Sequence, residues 1–231
     1  YGYYRSRVMR LFRWDRVTNI ITSADITTAA IYTAHDYVTD GAVCFWTFIH
    51  RNESTAGYYL IRYNSALTIT ASIYNATIKF IYSMDLDKSD RNLWCNNILA
   101  GQILKLNTTG DPLVSIDGGD LVYGLCGAPN GGCYVIRESK LVHYDAFGNV
   151  VASYTSGINE TTRQVKLDMD YDDCFWVLES SNTIKNMNFN GHININLSYI
   201  LVGSIVSIAG GLWVECPDVY KWKFISREGG I

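Results

Sequence analysis

A short pattern of apolar and polar positions recurs six times along the chain. Each copy has two or three apolar or basic residues, then an aromatic or large apolar residue, and it ends on Asp, Asn or Lys. The copies lie at residues 11–15, 60–64, 104–107, 141–145, 184–188 and 219–223. Their last positions are about 42 residues apart on average, a period typical of repeat architectures. The pattern therefore predicts a chain built from repeated units of this length.

Two further patterns keep the same period. Cys or Leu stands next to an aromatic residue about ten residues before most copies of the first pattern, as two strands joined by a turn would require. The copies lie at residues 44–46, 93–95, 133–135, 174–177 and 212–214. Asn or Asp with Gly three residues later follows the first pattern, at 107–110, 145–148 and 188–191. Asn and Asp bond their own backbone and Gly accepts the left-handed conformation, so these segments predict turns before a further strand.

Strand–strand–turn–strand units without helical periodicity predict an all-β fold, a β-propeller of four-stranded blades. We expect the aromatic residue of each second strand, such as Trp94 and Trp176, to pack between neighbouring blades. We predict a single propeller domain, or a fragment of one, over residues 1–231. Its repeat units lie at about 1–24, 25–73, 74–116, 117–154, 155–197 and 198–231. The first unit lacks its innermost strand, so five blades are largely complete and one is partial. We therefore expect a ring of six or more blades, completed within a longer chain or a larger complex.

One unit carries a resemblance to a known repeat. Residues 165–184 read VKLDMDYDDCFWVLESSNTI. The segment resembles NHL-type β-propeller repeats, which have Asp after an apolar residue, an aromatic–Val strand, an acidic residue, and then Asn and Ile before the next strand. Asp173 stands where that family usually has Gly, whereas the fourth unit, at residues 117–154, keeps glycine at residues 131–132. The resemblance implies a binding scaffold, with a few enzymatic members, and it transfers no catalytic residue.

Composition and charge narrow the choice of partner. Hydrophobic residues make up 48% of the 231 positions, and 17 Tyr and 6 Trp against 3 Pro favour strands. The formal net charge of −3 offers no basic surface to phosphate backbones, so nucleic acid is not the favoured partner. No apolar run approaches the roughly 18 residues of a membrane span. The first residue is Tyr rather than Met, which indicates a removed leader or a piece of a longer chain.

An acidic run in the fifth unit matches the ligand spacing of an EF-hand calcium loop. Asp168, Asp170 and Asp172 take alternate positions, and Glu179 takes the twelfth. However, Asp173 replaces the glycine of that loop, and residues 174–178 read as a buried strand, which could not wrap an ion. A similar run at residues 85–90 favours a structural turn. We predict no cofactor, with calcium as the alternative and the three alternate aspartates as its ligands.

Cysteine and histidine give no metal or nucleophile pattern. Five of the six cysteines lie in or beside the second pattern, where we expect buried thiols. Cys126 and Cys133 flank a predicted hairpin loop and could face each other, so a disulfide between them stays open. His143 takes a repeat position held by Arg or Lys in other units, which predicts a solvated residue. Five N-x-S/T sequons begin at residues 52, 75, 107, 159 and 196, and whether they are glycosylated depends on the source.

Function in propellers depends on the loops that the sheets support. The loops between second and third strands predict binding residues on one face: Arg7, Arg51, Arg137, Glu179 and Glu215. The leading hypothesis is a non-enzymatic scaffold that binds a protein or glycan. It would be either a cell-surface or intracellular adaptor, or a structural or attachment component of a larger assembly such as a phage tail. An extracellular or virion-associated setting is favoured. The alternative is a propeller-fold lyase or hydrolase with an acidic, cation-binding site on the inner strands, where Asp85, Asp168 and Asp170 are the candidates.

Overall fold

The structure is a computed structural model, and it describes most of the repeat units. The described residues are 9–15, 18–26, 31–39, 44–51, 57–74, 81, 83–97, 100–117, 122, 124–137, 139–155, 166–169, 174–179, 183–190, 192–198, 205–208, 211–216 and 221–226. The patterns of alternating apolar residues become β-strands, numbered here in chain order.

The strands form six antiparallel sheets within the described ranges. Sheet 1 has two strands, β1 (Met9–Asp15) and β2 (Ile20–Ile26). Sheet 2 contains β3 (Ile31–Thr39), β4 (Cys44–Arg51), β5 (Gly57–Asn64) and β6 (Ile69–Tyr74). Sheet 3 contains β7 (Met84–Leu86), β8 (Leu93–Asn97), β9 (Gln102–Leu106) and β10 (Pro112–Asp117).

The second half of the chain repeats this arrangement. Sheet 4 contains β11 (Gly124–Gly127), β12 (Cys133–Arg137), β13 (Lys140–Tyr144) and β14 (Val150–Thr155). Sheet 5 contains β15 (Lys166–Met169), β16 (Cys174–Glu179), β17 (Thr183–Asn188) and β18 (Ile193–Ser198). Sheet 6 has three strands, β19 (Ile205–Ile208), β20 (Gly211–Cys216) and β21 (Lys221–Ser226).

The sheets are arranged as the blades of a propeller. Strands pair in chain order within each sheet, so the first strand lies at one edge and the fourth at the other. The first strands of successive sheets contact one another, from β3 to β7, β11, β15 and β19. The first strands are therefore innermost and the fourth strands outermost. This confirms the all-β propeller predicted from the repeat. None of the described residues forms a helix that could cross a membrane.

The hydrophobic core lies between neighbouring blades. Four clusters of buried side chains fill the spaces between sheets 2 and 3, 3 and 4, 4 and 5, and 5 and 6. The second strands supply their largest members, since Trp46, Trp94 and Trp176 are 0% exposed. The predicted packing of second-strand aromatics between blades is confirmed at these three positions.

The turns between third and fourth strands share one hydrogen-bond pattern. The side-chain Oδ1 of the first residue accepts from the backbone N–H groups two and four positions later, at Asn64, Asn107, Asp145 and Asn188. Glycine three residues after the first has φ +93° at Gly110 and +86° at Gly148, as predicted. Gly191 lies outside the described residues. The turn at Asn64 has the same bonds without glycine, and Leu67 takes φ +60° there.

Candidate functional site

The predicted binding residues lie at or near the ends of second strands. Arg51, Arg137 and Glu179 are the last residues of β4, β12 and β16, and Glu215 is the second-last residue of β20. Equivalent strand ends lie on one face of a propeller. Arg7 lies outside the described residues, and only the backbone of Arg51 and Glu215 is described. A binding role for these residues stays a prediction.

Two of these residues are not the exposed loop positions that the sequence predicted. Glu179 is only 7% exposed, and its carboxylate forms an ion pair with the Lys185 ammonium of β17. Arg137 is half-buried, and its Nη1 donates a 3.4 Å hydrogen bond to the Tyr144 hydroxyl of β13. Both residues end a paired strand, so their side chains reach neighbours on the adjacent strand instead of extending into the loop.

The acidic residues of the inner strands occupy equivalent positions. Asp85 on β7, Cys126 on β11 and Asp168 on β15 each lie opposite the aromatic residue of their second strand. The backbone N–H of Gly127 donates a 2.8 Å hydrogen bond to Asp85 Oδ2. Lys88 Nζ lies 3.1 Å from both oxygens of the same carboxylate. The structure therefore brings two inner-strand aspartates to matching positions, but Asp85 is engaged by an ammonium group.

The calcium alternative rests on residues that the structure describes only in part. Asp168 belongs to β15, whereas Asp170 and Asp172 lie outside the described residues. The carboxylate of Glu179, at the twelfth position, is paired with Lys185. No group of three or more His, Cys, Asp or Glu that could hold a metal ion occurs in the described ranges. The calcium site stays a prediction.

A buried polar network joins sheets 3 and 4 at the turn after β7. The Asp87 carboxylate is 0% exposed, and its Oδ2 accepts hydrogen bonds from Trp94 Nε1 at 3.2 Å and from the Gly132 backbone N–H at 3.1 Å. Lys105 Nζ lies 2.7 Å from Asp87 Oδ2 and 2.7 Å from Asp90 Oδ2. The same ammonium lies 5.4 Å from the centroid of the Trp94 ring. The network thus ties the first turn of one blade to the next blade.

The electrostatics of this network keep the carboxylate ionised. Burial raises the pKa of Asp87, but hydrogen bonds from Lys105 and Ser89 outweigh it and hold the pKa well below its usual range. Charged hydrogen bonds in a low-dielectric interior are strong, and the partners satisfy both charges. The run at residues 85–90 is therefore a structural turn, as the sequence favoured.

The interpretation of His143 as a solvated residue is wrong. Its ring stacks on Tyr134 with centroids 4.2 Å apart, and its Nε2 is buried with no hydrogen-bond partner among the described residues. Lys105, at the equivalent position of sheet 3, is only 3% exposed. At this register the third-strand side chain lies over the second-strand aromatic and faces the neighbouring blade. Burial lowers the pKa of His143, because the charged ring would lose its hydration.

Cys126 and Cys133 do not form the disulfide that the sequence left open. Both are free and buried. In the hairpin register, Cys126 lies opposite Tyr134 and Cys133 lies opposite Gly127. The two cysteines are thus offset by one residue, so their side chains point to opposite faces of sheet 4. Accordingly, Cys126 packs against sheet 5 and Cys133 against sheet 3.

The structure adds a surface that the loop hypothesis missed. We define the outer wall as the four recurrent turns with the fourth strands that follow them, at residues 64–74, 107–117, 145–155 and 188–198. Strands β6, β10 and β14 have the same exposure pattern, with the first two residues exposed. Large hydrophobic side chains are exposed in the wall: Ile69, Tyr74, Leu113, Phe147, Val150 and Val151.

The apolar exposure is densest at one turn. Phe147 is 81% exposed, Val150 61% and Val151 57%, all within five residues of sheet 4. We call these three residues the wall patch. The signal for it in the sequence is the pair of adjacent apolar residues that opens β14. The β13–β14 pairing shifts register here, from Ala152 opposite His143 to Val150 opposite Tyr144, so Val151 is an extra residue and strict alternation of faces does not apply to this pair.

No protein-family model and no curated protein matches the sequence. Solved structures do match, and they are β-propellers at low sequence identity. A streptogramin B lyase has a TM-score of 0.63 and 15% identity over 85% of this chain and 66% of its own. A propeller from a nidogen/laminin complex has a TM-score of 0.67 and 11% identity over 95% of this chain and 86% of its own. Sqt1 of Saccharomyces cerevisiae has a TM-score of 0.64 and 10% identity over 95% of this chain and 65% of its own.

These similarities establish the propeller fold and no closer relationship. The chain spans about two thirds of the length of the lyase and of Sqt1. The neighbours include an enzyme and a propeller from a protein complex. The fold alone therefore does not decide the function of this chain. The neighbours do not distinguish the NHL type from other propellers, and they lend no support to a phage-tail component.

Proposed function

We propose that this protein is a non-enzymatic β-propeller scaffold that binds a protein partner through its outer wall. The observation that carries this proposal is the wall patch, with Phe147 81% exposed beside Val150 and Val151. Single exposed hydrophobic residues are ordinary, whereas a cluster of them at one place marks a binding surface. An exposed aromatic ring is also the kind of side chain that anchors protein interfaces.

The structure supports a binding surface on the wall more than on the predicted face. Glu179 and Arg137, two of the face residues, already contact Lys185 and Tyr144 within their sheets. The wall patch instead consists of apolar side chains that lose water when a partner covers them, which is favourable. The neighbour in a nidogen/laminin complex is a propeller that takes part in a protein complex. We include in this proposal the NHL-type assignment, which rests on the sequence of residues 165–184.

The proposal is tested by affinity capture from an extract of the source cells. Wild-type protein and the double variant Phe147→Ser/Val150→Ser are immobilised, together with Ile21→Ser as a matched control. Ile21 is 65% exposed but belongs to sheet 1. A partner that binds wild type and the control, and is lost from the double variant, supports the proposal. Equal retention of every captured protein by all three baits would contradict it.

One observation favours a second candidate function, a lyase or hydrolase. Asp85 and Asp168 lie on inner strands at matching register, where a site in the central channel would need titratable groups. Asp85 also pairs with Lys88, and both aspartates are candidates for such a site. Loss of a measured activity in Asp168→Ala, with the melting temperature unchanged, would favour this enzyme function over the scaffold.

A further inference from the structure

The outer wall contains acidic residues but no Lys or Arg. The chain has 19 Lys and Arg, yet none of them lies in the four wall segments at residues 64–74, 107–117, 145–155 and 188–198. The wall carries three carboxylates instead, Asp111, Asp117 and Asp145. Exposed outermost strands are commonly protected from other chains by charged residues, especially lysine. The wall segments have no lysine and combine apolar exposure with negative charge.

Two of these carboxylates are fixed beside the apolar residues by their turns. Hydrogen bonds from Thr109 and Asn107 lower the pKa of Asp111. Hydrogen bonds from Asn149 lower the pKa of Asp145, which stands two residues before Phe147. Asp111 is exposed and Asp145 is partly buried at its turn, and both are negatively charged at neutral pH.

We propose that the wall patch binds a partner protein through a segment that combines large apolar side chains with Lys or Arg. This inference rests on the proposed function and adds the chemistry of the partner. The apolar residues of the segment cover Phe147, Val150 and Val151. Its basic residues meet the carboxylates of Asp145 and Asp111, and such complementary charges speed association and set specificity.

The same charges argue against a second copy of this chain as the occupant. A symmetric dimer through the wall patch would bring the carboxylates of both copies into one interface, because an isologous interface uses the same surface twice. No Lys or Arg of the wall could compensate this repulsion. A basic partner forms ion pairs with the carboxylates, whereas a second copy brings further carboxylates into the interface.

The test uses a displayed library of random peptides and the intact chain. Peptides selected on wild type are sequenced, and the strongest are synthesised for affinity measurement. We expect enrichment of Lys and Arg together with Leu, Ile, Phe or Trp. Phe147→Ser/Val150→Ser should reduce affinity at least about tenfold, whereas Ile21→Ser should leave it unchanged. Enrichment of acidic or uncharged peptides would overturn the inference.

A variant without two wall carboxylates tests the contribution of charge to binding separately from that of the apolar wall patch. In Asp111→Asn/Asp145→Asn the turns should keep their geometry. Asn already makes the bonds of the first turn position at Asn64, Asn107 and Asn188, and Asn149 already occupies the fifth turn position, that of Asp111, in sheet 4. We expect the variant to bind the selected peptides several-fold more weakly at low salt and to lose most of the salt dependence shown by wild type. Unchanged affinity and salt dependence would contradict the role of the carboxylates.

The outcomes also separate this inference from the proposed function. If the selected peptides are acidic or uncharged but are still lost in Phe147→Ser/Val150→Ser, binding through the wall remains and the inference about the partner's chemistry fails. If sedimentation shows a dimer that the double variant dissociates, the occupant is a second copy and the inference also fails. If nothing binds and Asp168→Ala removes an activity, the proposed function itself fails. Melting temperatures within about 2 °C of wild type would show that the variants fold.

Discussion

The Asp87 carboxylate shows how a single residue connects two blades. Its Oδ2 accepts from Trp94 in its own sheet and from Gly132 in the next, and Lys105 supplies the balancing charge. A buried carboxylate is favourable only when such partners replace its lost hydration. The Asp-x-Asp spacing that resembles a cation site has a structural use here.

Asp87→Asn should destabilise the protein strongly. The amide keeps the shape but removes the charge that balances the buried ammonium of Lys105. Breaking a buried ion pair costs about 3–5 kcal/mol. Urea unfolding at pH 7 measures the change in the free energy of unfolding. Asp90→Asn is the control, because Asp90 is 41% exposed and should cost much less. Equal costs for the two variants would show that Asp87 is not the main partner.

The same residue gives a pH dependence with a defined sign. The pKa of Asp87 in the folded state lies below its value of about 4 in an unfolded chain. Its contribution to stability is therefore complete above that unfolded value and is lost as the pH falls towards the folded pKa. The difference in unfolding free energy between wild type and Asp87→Asn should shrink below about pH 4. A difference that stays constant down to pH 2 would contradict the assignment.

His143 gives a second pH dependence, nearer neutrality. Burial lowers its pKa in the folded state, so the unfolded chain takes up a proton first as the pH falls. Its contribution to stability is present above the unfolded pKa of about 6.5 and decreases below it. His143→Phe keeps a ring to stack on Tyr134 and should flatten the stability profile between pH 7 and pH 5. Thermal unfolding across that range measures this effect, and parallel profiles would contradict it.

At the scale of elements, the third-to-fourth-strand turn sets the distance between neighbouring blades. A Cβ on Gly110 would lie 1.8 Å from Ile73 Cδ1 of the preceding blade. The turn also requires φ +93° at this position, which side-chain-bearing residues rarely adopt. The turn of one blade therefore packs directly on the outermost strand of the blade before it.

Gly110→Ala should cost about 1–3 kcal/mol, from backbone strain and the contact with Ile73. Leu67 occupies the equivalent turn position with φ +60°. Leu67→Gly should relieve strain and change stability by no more than about 1 kcal/mol, in the stabilising direction. Thermal unfolding of both variants measures the pair. A stabilising Gly110→Ala would show that the turn tolerates a side chain.

At the scale of the whole molecule, stability depends on the packing between blades. Cys95, Cys126 and Cys133 lie in three different inter-blade clusters and are 0–1% exposed. Burial raises the pKa of Cys95 to about 12 and raises the pKa values of the other two thiols well above the usual range. These thiols are therefore both inaccessible and protonated, which makes them unreactive.

A bulky thiol reagent should leave these three cysteines unlabelled in the native protein. Their labelling should require opening of the blade packing and should accelerate in denaturant, whereas half-buried Cys174 reacts faster. Mass spectrometry of the labelled protein at successive times identifies each site. Rapid native labelling of all three would contradict the blade packing described here.

The sequence by itself determined the features that depend on local chemistry. The period of the repeat gave the propeller, because each unit contains the alternation of its strands and the residues of its turns. The turns at Asn107 and Asp145 could be predicted from the sequence, because each side chain accepts a hydrogen bond from the backbone N–H two residues later in its own segment. Trp94 and Trp176 were predicted as core residues because large aromatic side chains in a strand between packed sheets are buried.

Only the tertiary structure decided which side of a strand a residue faces and what covers it. Glu179 looked like a loop residue until its pairing with Lys185 placed it inside a sheet. His143 shares its repeat position with Lys and Arg, and only the adjacent blade shows that this position is covered. Conversely, the apolar pair Val150 and Val151 is exposed, because β14 is the last strand of its sheet within the described ranges. A one-dimensional pattern specifies the alternation of side chains, whereas their burial depends on neighbours that are distant in the chain.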